Sequence, residues 1–205
     1  RAIKSADIIL FGGGGLFQDR EKMAIWIWRW YRFVAGFFGK RIIFIANSVG
    51  PLNLRRSRKV VKKSFSDIRF ISVRDTASKK LLQEIGISEK QIILSTDAAF
   101  LLKKPPKAKR RKGSLILIRG DGKISIRQLK NLFPTLPKPV LAIAMDQVDT
   151  SFSEDLGIPV YESESVADLE EKISQARVIL SSRLHGGILA LRSETPFLLF
   201  SSAPK

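Results

Sequence analysis

Short apolar runs, each closed by glycine or polar residues and each followed by a stretch with helical spacing, recur along the whole chain. They constrain its fold more than any single motif does. Ala6 to Phe11, Arg41 to Ala46, Phe70 to Val73 and Gln91 to Leu94 lie in the first half; Ser114 to Arg119, Pro139 to Met145, Ile158 to Tyr161, Ala176 to Leu180 and Phe197 to Phe200 lie in the second. Each has the length of a strand and not of a helix. Between them fall helical stretches at Met23 to Phe38, Leu54 to Phe65, Thr76 to Ile85, Ser125 to Phe133, Gln147 to Leu156, Val166 to Gln175 and from Leu184 onward, where Leu184, Ile188 and Leu191 repeat at helical intervals. Alternation of this kind predicts parallel sheets flanked by helices, an α/β fold.

Lys103 to Lys112 breaks the series. It is rich in proline, lysine and arginine without apolar periodicity, so it reads as a linker. The predicted organisation is an N-terminal Rossmann-like half over 1–102, a basic linker over 103–112 and a C-terminal Rossmann-like half over 113–205, facing each other across a cleft. The first apolar run follows Arg1 almost at once with no initiator Met, and the last ends five residues before Lys205. Both halves are therefore expected to be incomplete, the chain being a piece truncated at both ends of a longer protein.

Composition narrows the chemistry. The absence of cysteine excludes disulfides and thiolate metal sites, and a single histidine excludes a His-rich one, so no metal site is expected. A cysteine-free chain with no visible signal peptide fits a cytoplasmic location. The net charge of +17 attracts phosphates, anionic lipid or nucleic acid without choosing among them. All three tryptophans sit between Met23 and Phe38, with Arg29 and Arg32 among them. That segment is too short and too charged to span a bilayer, which needs about 20 apolar residues. A core helix is the first expectation, and an interfacial helix giving peripheral association with the inner membrane face is the alternative.

Candidate site residues fall where predicted strands end. His185 is the only side chain in the chain whose ordinary pKa lies near neutrality, and Arg183 stands two residues before it at a strand-to-helix junction. Such junctions lie at the carboxyl edge of an α/β sheet, and a helix start offers N–H groups to an anion. Arg74 and Arg119 end two other strands. Gly12 to Gly15 forms a turn after the first strand, and Gly13, Gly14 and Gly15 would let a phosphate or sugar approach the backbone, with a helix expected to follow. The spacing is neither a dinucleotide fingerprint nor a P-loop. Asp75 reads as an N-cap and Gly86 as the C′ residue of the helix between them.

Several pieces share their order and spacing with the polysaccharide pyruvyl transferase family, which this chain resembles. They are Phe11 to Asp19, Ser48 to Pro51, Ile71 to Asp75, Ser78 with Leu81, Leu82 and Gly86, Asp97 to Phe100, Ser182 to Gly186, and Ala203 to Lys205. The resemblance implies a fold like the two-domain GT-B glycosyltransferases, phosphoenolpyruvate as donor substrate and a free or lipid-linked glycan as acceptor. It also implies transfer of pyruvyl as a ketal to a cell-wall polysaccharide, exopolysaccharide or precursor, without a cofactor. Under it His185 does acid/base work, Arg183, Arg74 and Arg119 bind anionic groups, and Gly13 to Gly15 face the acceptor. The family's members usually carry a further strand with an Asn-x-Gly-Asp segment ahead of the glycine turn, which is missing here, so activity of this piece alone is an open expectation.

Two other readings remain. A GT-B glycosyltransferase using a nucleotide sugar would employ the same cations, with Asp146 holding a ribose hydroxyl or capping a helix. A basic nucleic-acid-binding module is suggested by the charge and the Lys103 to Lys112 run. The aromatic residues are not interleaved with that run as base-stacking platforms would be, so nucleic acid is not an expected partner.

Overall fold

The computed structural model describes residues 2–20, 23–105, 108–119, 124–144 and 147–200. The chain divides into two compact units, Arg1–Leu101 and Leu102–Lys205. The first holds α1 (Ala2–Ser5), β1 (Ile8–Gly12), α2 (Ala24–Phe37), β2 (Arg41–Asn47), α3 (Arg55–Phe65), β3 (Ile71–Val73), α4 (Thr76–Glu84) and β4 (Ile92–Leu94). Its strands are all parallel in the order β1-β2-β3-β4.

Strands laid down in one direction with right-handed crossovers, the general rule, put their helices on one face, and Ile25 of α2, Val61 and Phe65 of α3 and Leu82 of α4 accordingly share one buried cluster. The core fills the space between. Phe11, Phe17, Phe44, Phe65, Ile71, Val73 and Leu82 belong to one buried cluster, with the Phe44 and Phe65 rings stacked at 4.3 Å and Phe17 edge-on to Phe65 at 4.9 Å. Among the described residues no such cluster covers the opposite face, where Leu10 is 60% exposed and Ile8 and Ile93 are exposed as well.

Local signals behave as their chemistry dictates. Asp75 is extended (φ −144°, ψ 151°) and its carboxylate accepts from Ser78 N at 2.8 Å, capping α4, which Gly86 terminates at φ 87°. One expectation fails at the glycine turn. No helix follows it: Leu16 to Asp19 runs on as a pinned segment, with Phe17 bridging Val49, Asp19 N bonded to Pro51 O and Asp19 Oδ2 accepting from Leu54 N, and α2 begins only at Ala24. Burial of the Phe17 ring in the aromatic core holds this segment extended. The core-helix expectation for Met23 to Phe38 also fails, since α2 buries only Ile25 and Ala35 and exposes most of its aromatic rings.

The second unit holds β5 (Ser114–Leu117), α5 (Ile126–Leu132), β6 (Val140–Ala144), α6 (Gln147–Asp155), β7 (Val160–Glu162), α7 (Val166–Gln175), β8 (Val178–Ser181), α8 (Leu184–Arg192) and β9 (Phe197–Leu199). Its sheet is parallel throughout, ordered β7-β6-β5-β8-β9. The chain lays three strands outward from the centre, then returns to the other side of β5. Helices consequently cover both faces, and separate apolar clusters sit on each: Leu115, Leu117, Ile173 and Ile179 in one, Ile116, Ile118, Leu129 and Leu156 in the other. Every residue of β5 is buried, as a central parallel strand requires.

Where a linker is expected, the described residues of the basic run are fastened to this second unit. Arg192 donates to the carbonyls of Leu102 (3.1 Å) and Lys103 (2.8 Å) while its Nε binds Glu170 at 2.6 Å. Lys104 pairs with Glu194, Arg111 donates to Ser193 O, and Lys112 N to Gln175 O. Asp146, Met145 and Ala203 to Lys205 lie outside the described residues.

Candidate functional site

Strand order in the second unit reverses between β5 and β8, and the segments leaving those two strands carry Arg119, Arg183 and His185. Hydrogen bonds tie the segments together. Ser182 N donates to Leu117 O at 3.0 Å, and Ser182 Oγ accepts from Arg119 N at 2.8 Å. Ser181 Oγ, fully buried, accepts from Arg183 N at 3.0 Å and lies within donating reach of Arg183 O (2.9 Å) and Leu117 O (3.1 Å). One hydroxyl thus turns the chain at Arg183, which stays extended at φ −91° and ψ 125°, and starts α8 at the next residue.

That turn sets His185 as the second residue of α8, exposed, where the first turn of a helix presents unsatisfied N–H groups and the positive end of its dipole. The glycines that follow have a packing reason. A Cβ on Gly186 would stand 2.4 Å from Ser181 Oγ and 3.3 Å from Leu117 Cδ2, so only glycine brings the helix start this close to the strand ends.

Arg183 and Arg119 differ in setting. The Arg183 guanidinium donates from Nη2 to Asp149 Oδ2 at 2.5 Å, and Asp149, on α6, is only 1% exposed. The carboxylate orients Arg183 and offsets its charge. The Arg119 side chain is exposed. This edge therefore carries an exposed arginine, the N-terminus of α8 and a guanidinium held in place by a buried carboxylate.

Arg74 belongs to a different constellation, at the carboxyl edge of the first unit's sheet. Its Nε donates to Ser48 Oγ at 2.9 Å and its Nη1 to the Asp97 carboxylate, while Ser48 donates to Asp75 at 2.5 Å. Ser78 Oγ lies 2.9 Å from Asp75 and accepts from Val49 N at 2.8 Å. Ser48, Arg74, Asp75, Ser78 and Asp97, far apart in sequence, are thereby one network. The glycine turn abuts it: Ser48 N donates to Gly14 O at 2.9 Å, and Gly13 N to Ile45 O at 3.1 Å. Gly13 and Gly14 adopt φ 69° and 67°, and nothing lies within 4 Å of a Cβ built on either. Their backbone is open to a ligand, while a Cβ built on Gly15 would stand 3.9 Å from the Gln18 side chain.

A cleft of about 240 Å³ lined in part by Arg110, Lys112, Lys172 and Gln175 sits at the opposite, amino edge of the second sheet, and shares no residue with the β5–β8 crevice. Among the described residues no group of three or more His, Cys, Asp or Glu is placed to hold a metal ion.

The family model for polysaccharide pyruvyl transferase matches residues 1–204, nearly the whole chain. The chain belongs to the polysaccharide pyruvyl transferase family. It is thus a member of a transferase family with an α/β fold of parallel sheets. None of the curated proteins matches the sequence. Among solved structures it is similar to a candidate UDP-N-acetylglucosamine 2-epimerase from Listeria monocytogenes, with a TM-score of 0.63 at 9% identity over 99% of this chain. That likeness shows a common GT-B-type fold, and the chain spans 59% of that protein's length.

Some of this site was missed from sequence. Asp149 and Ser153 are polar residues on the inner side of α6, one helical turn apart and both buried. A polar residue at a core position of a helix is a signal for a partner. Asn47 was missed too. A register irregularity between Phe44 and Asn47, with Ala46 at φ 50°, turns the Asn47 amide inward to donate to Phe11 O at 2.6 Å, a bend no sequence period announces.

Proposed function

We propose that the protein transfers pyruvyl from phosphoenolpyruvate to a sugar as a ketal, with the β5–β8 crevice as donor site. The observation that supports this reading is that the backbone segments carrying Arg119, Arg183 and His185 are hydrogen-bonded together at the start of α8, where strand order reverses, the place where doubly wound sheets receive anionic ligands. Phosphoenolpyruvate has a phosphate and a carboxylate to satisfy, and two arginines with a helix start match that demand. Arg183, oriented by Asp149, and Arg119 hold the two acidic groups.

The chemistry needs a proton moved near neutral pH. A proton added to the methylene carbon of the enol leaves an oxocarbenium centre at the adjacent carbon. One sugar hydroxyl attacks there, giving up its proton. The carbon–oxygen bond to phosphate then breaks, and a second hydroxyl closes the ketal, so that the two hydroxyl protons balance the one on carbon and the one leaving with phosphate. His185, exposed beside the arginines, serves as the acid and base. The open backbone at Gly13 and Gly14 suits a sugar ring.

The test follows phosphate release from phosphoenolpyruvate with free and lipid-linked glycans offered as acceptors. His185→Ala is expected to abolish turnover while the protein stays folded and phosphoenolpyruvate still raises the melting temperature. An unchanged rate removes His185 from the mechanism. Thermal protection by nucleotide sugars and not by phosphoenolpyruvate would replace the donor assignment with a glycosyltransferase.

A further inference from the structure

The helix α2 is inverted relative to a soluble helix: it turns its most aromatic face outward. Trp26, Trp30, Phe33 and Phe37 follow one another at four-, three- and four-residue intervals with Ile27 beside them, and all five are exposed, Trp30 at 62% and Phe37 at 76%. The inward face contains Arg32, which donates to Ser64 O at 3.2 Å and pairs with Asp67. Thus the fold buries part of a charged residue and leaves the rings in water, the reverse of what burial energetics favours for an isolated surface.

The charges around this face are mostly positive, with Asp67, the partner of Arg32, lying just past the basic stretch. From Met23 to Ser66 the sequence contains ten lysines and arginines and no aspartate or glutamate. Arg29 lies over the Trp26 ring at 5.6 Å, flanking the aromatic arc. Packed beside α2, α3 exposes Arg55, Arg56, Arg58, Lys59, Lys62 and Lys63 along a single helix. No helix among the described residues is long and apolar enough to cross a membrane.

We propose that the outer face of α2, with the basic face of α3 beside it, docks the protein onto an anionic lipid surface. Tryptophan and other aromatic rings flanked by arginine are the composition that settles at the headgroup boundary, and neighbouring lysines and arginines add attraction to anionic headgroups. Charge complementarity selects this occupant over a second copy of the chain, because a copy would bring an identical cationic surface to the same patch. The docking holds the protein against that surface. It does not depend on the reaction assigned above.

The experiment sediments the protein with vesicles of phosphatidylcholine alone and of equal parts phosphatidylcholine and phosphatidylglycerol, while tryptophan emission is recorded. Since all three tryptophans lie on α2, their emission reports this helix. Capture by the anionic vesicles with a blue shift, weakened by salt, is the expected result. Lys59→Gln with Lys63→Gln lowers the partition coefficient about 25-fold, at about fivefold per charge. Trp30→Ala with Phe37→Ala removes binding, and circular dichroism of these surface variants confirms that they fold. Absence of capture, capture unaffected by loss of Trp30 and Phe37, or a dimer in light scattering that the Trp30 and Phe37 substitutions dissolve would each overturn the proposal, the last by assigning the face to a second copy.

Discussion

Adjacent glycines at the start of α8 should respond to alanine with opposite signs. At Gly186 a methyl group would lie 2.4 Å from Ser181 Oγ and 3.2 Å from Ser181 Cβ. The hydroxyl cannot yield cheaply, because it accepts the Arg183 N–H and reaches the Leu117 carbonyl from a fully buried position. Helix propensity favours alanine by up to about 1 kcal/mol. Against that stand overpacking at about 1–3 kcal/mol and loss of one or two hydrogen bonds at about 1 kcal/mol each. The sum is a destabilisation of about 2 kcal/mol. For a unit of this size that lowers the melting temperature by roughly 8–16 °C.

At Gly187 the same methyl would meet Leu199 at 3.4 Å and Phe197 at 3.5 Å, ordinary contacts with side chains. Gly187→Ala should therefore be neutral or stabilising by up to about 1 kcal/mol. Thermal and urea unfolding of the two variants, with Ser181→Ala combined with Gly186→Ala as a third, measure this directly. Removing the hydroxyl relieves the 2.4 Å clash, so the double variant should recover part of the stability while still failing to turn the chain at Arg183. Gly186→Ala as stable as the parent, or Gly187→Ala equally damaging, would refute the view that the close approach of α8 to the strand ends is what these glycines supply.

Arg192→Met leaves buried Glu170 without its partner and releases the carbonyls of Leu102 and Lys103, which predicts a loss of about 3–5 kcal/mol in urea unfolding, against at most about 1 kcal/mol if the pair behaved as a surface bridge. Tyr161 donates to Asp168 at 2.6 Å, and this hydrogen bond raises the phenol's pKa above its ordinary 10.0. The neutral form is the one held in the fold, so the contribution to stability is present below pH 10 and lost as pH rises through the raised pKa. With Tyr31 replaced by phenylalanine, absorbance titration of the remaining phenol should move down toward its ordinary value on Asp168→Asn.

The alternation of apolar runs with helical stretches was enough to read the strands and helices, because a buried parallel strand and an amphipathic helix leave different periods in the sequence. β5, buried along its whole length, was legible for that reason, and so were the Asp75 cap and the Gly86 stop, whose chemistry is local. What misled was the glycine turn and α2. Turn glycines announce a change of direction but not the element that follows, and here Phe17 is drawn into a core built from β2 and α3, so the expected helix is delayed. An aromatic helix reads as core when apolarity is counted, and only the sheet order reveals that α2 has an inner face and a separate, uncovered outer one.

The arginines show the same limit more sharply. Sequence finds Arg74, Arg119 and Arg183 each at a strand's end, where an anion could bind, without showing what else each one touches. Asp97 lies 23 residues from Arg74 and Asp149 lies 34 from Arg183, separations at which no local pattern connects them. Folding makes the three unequal. Arg74 joins Ser48, Asp75 and Asp97 in one hydrogen-bonded network at the first unit's sheet edge. Arg183 keeps one edge committed to a buried carboxylate, which lowers its pull on an anion but fixes its direction, and a guanidinium fixed beforehand loses less entropy when a second acid binds. Arg119 contributes an exposed charge on a backbone anchored by Ser182. The donor proposed above has two acidic groups of different geometry, and one oriented and one adaptable cation at the β5–β8 crevice would suit them.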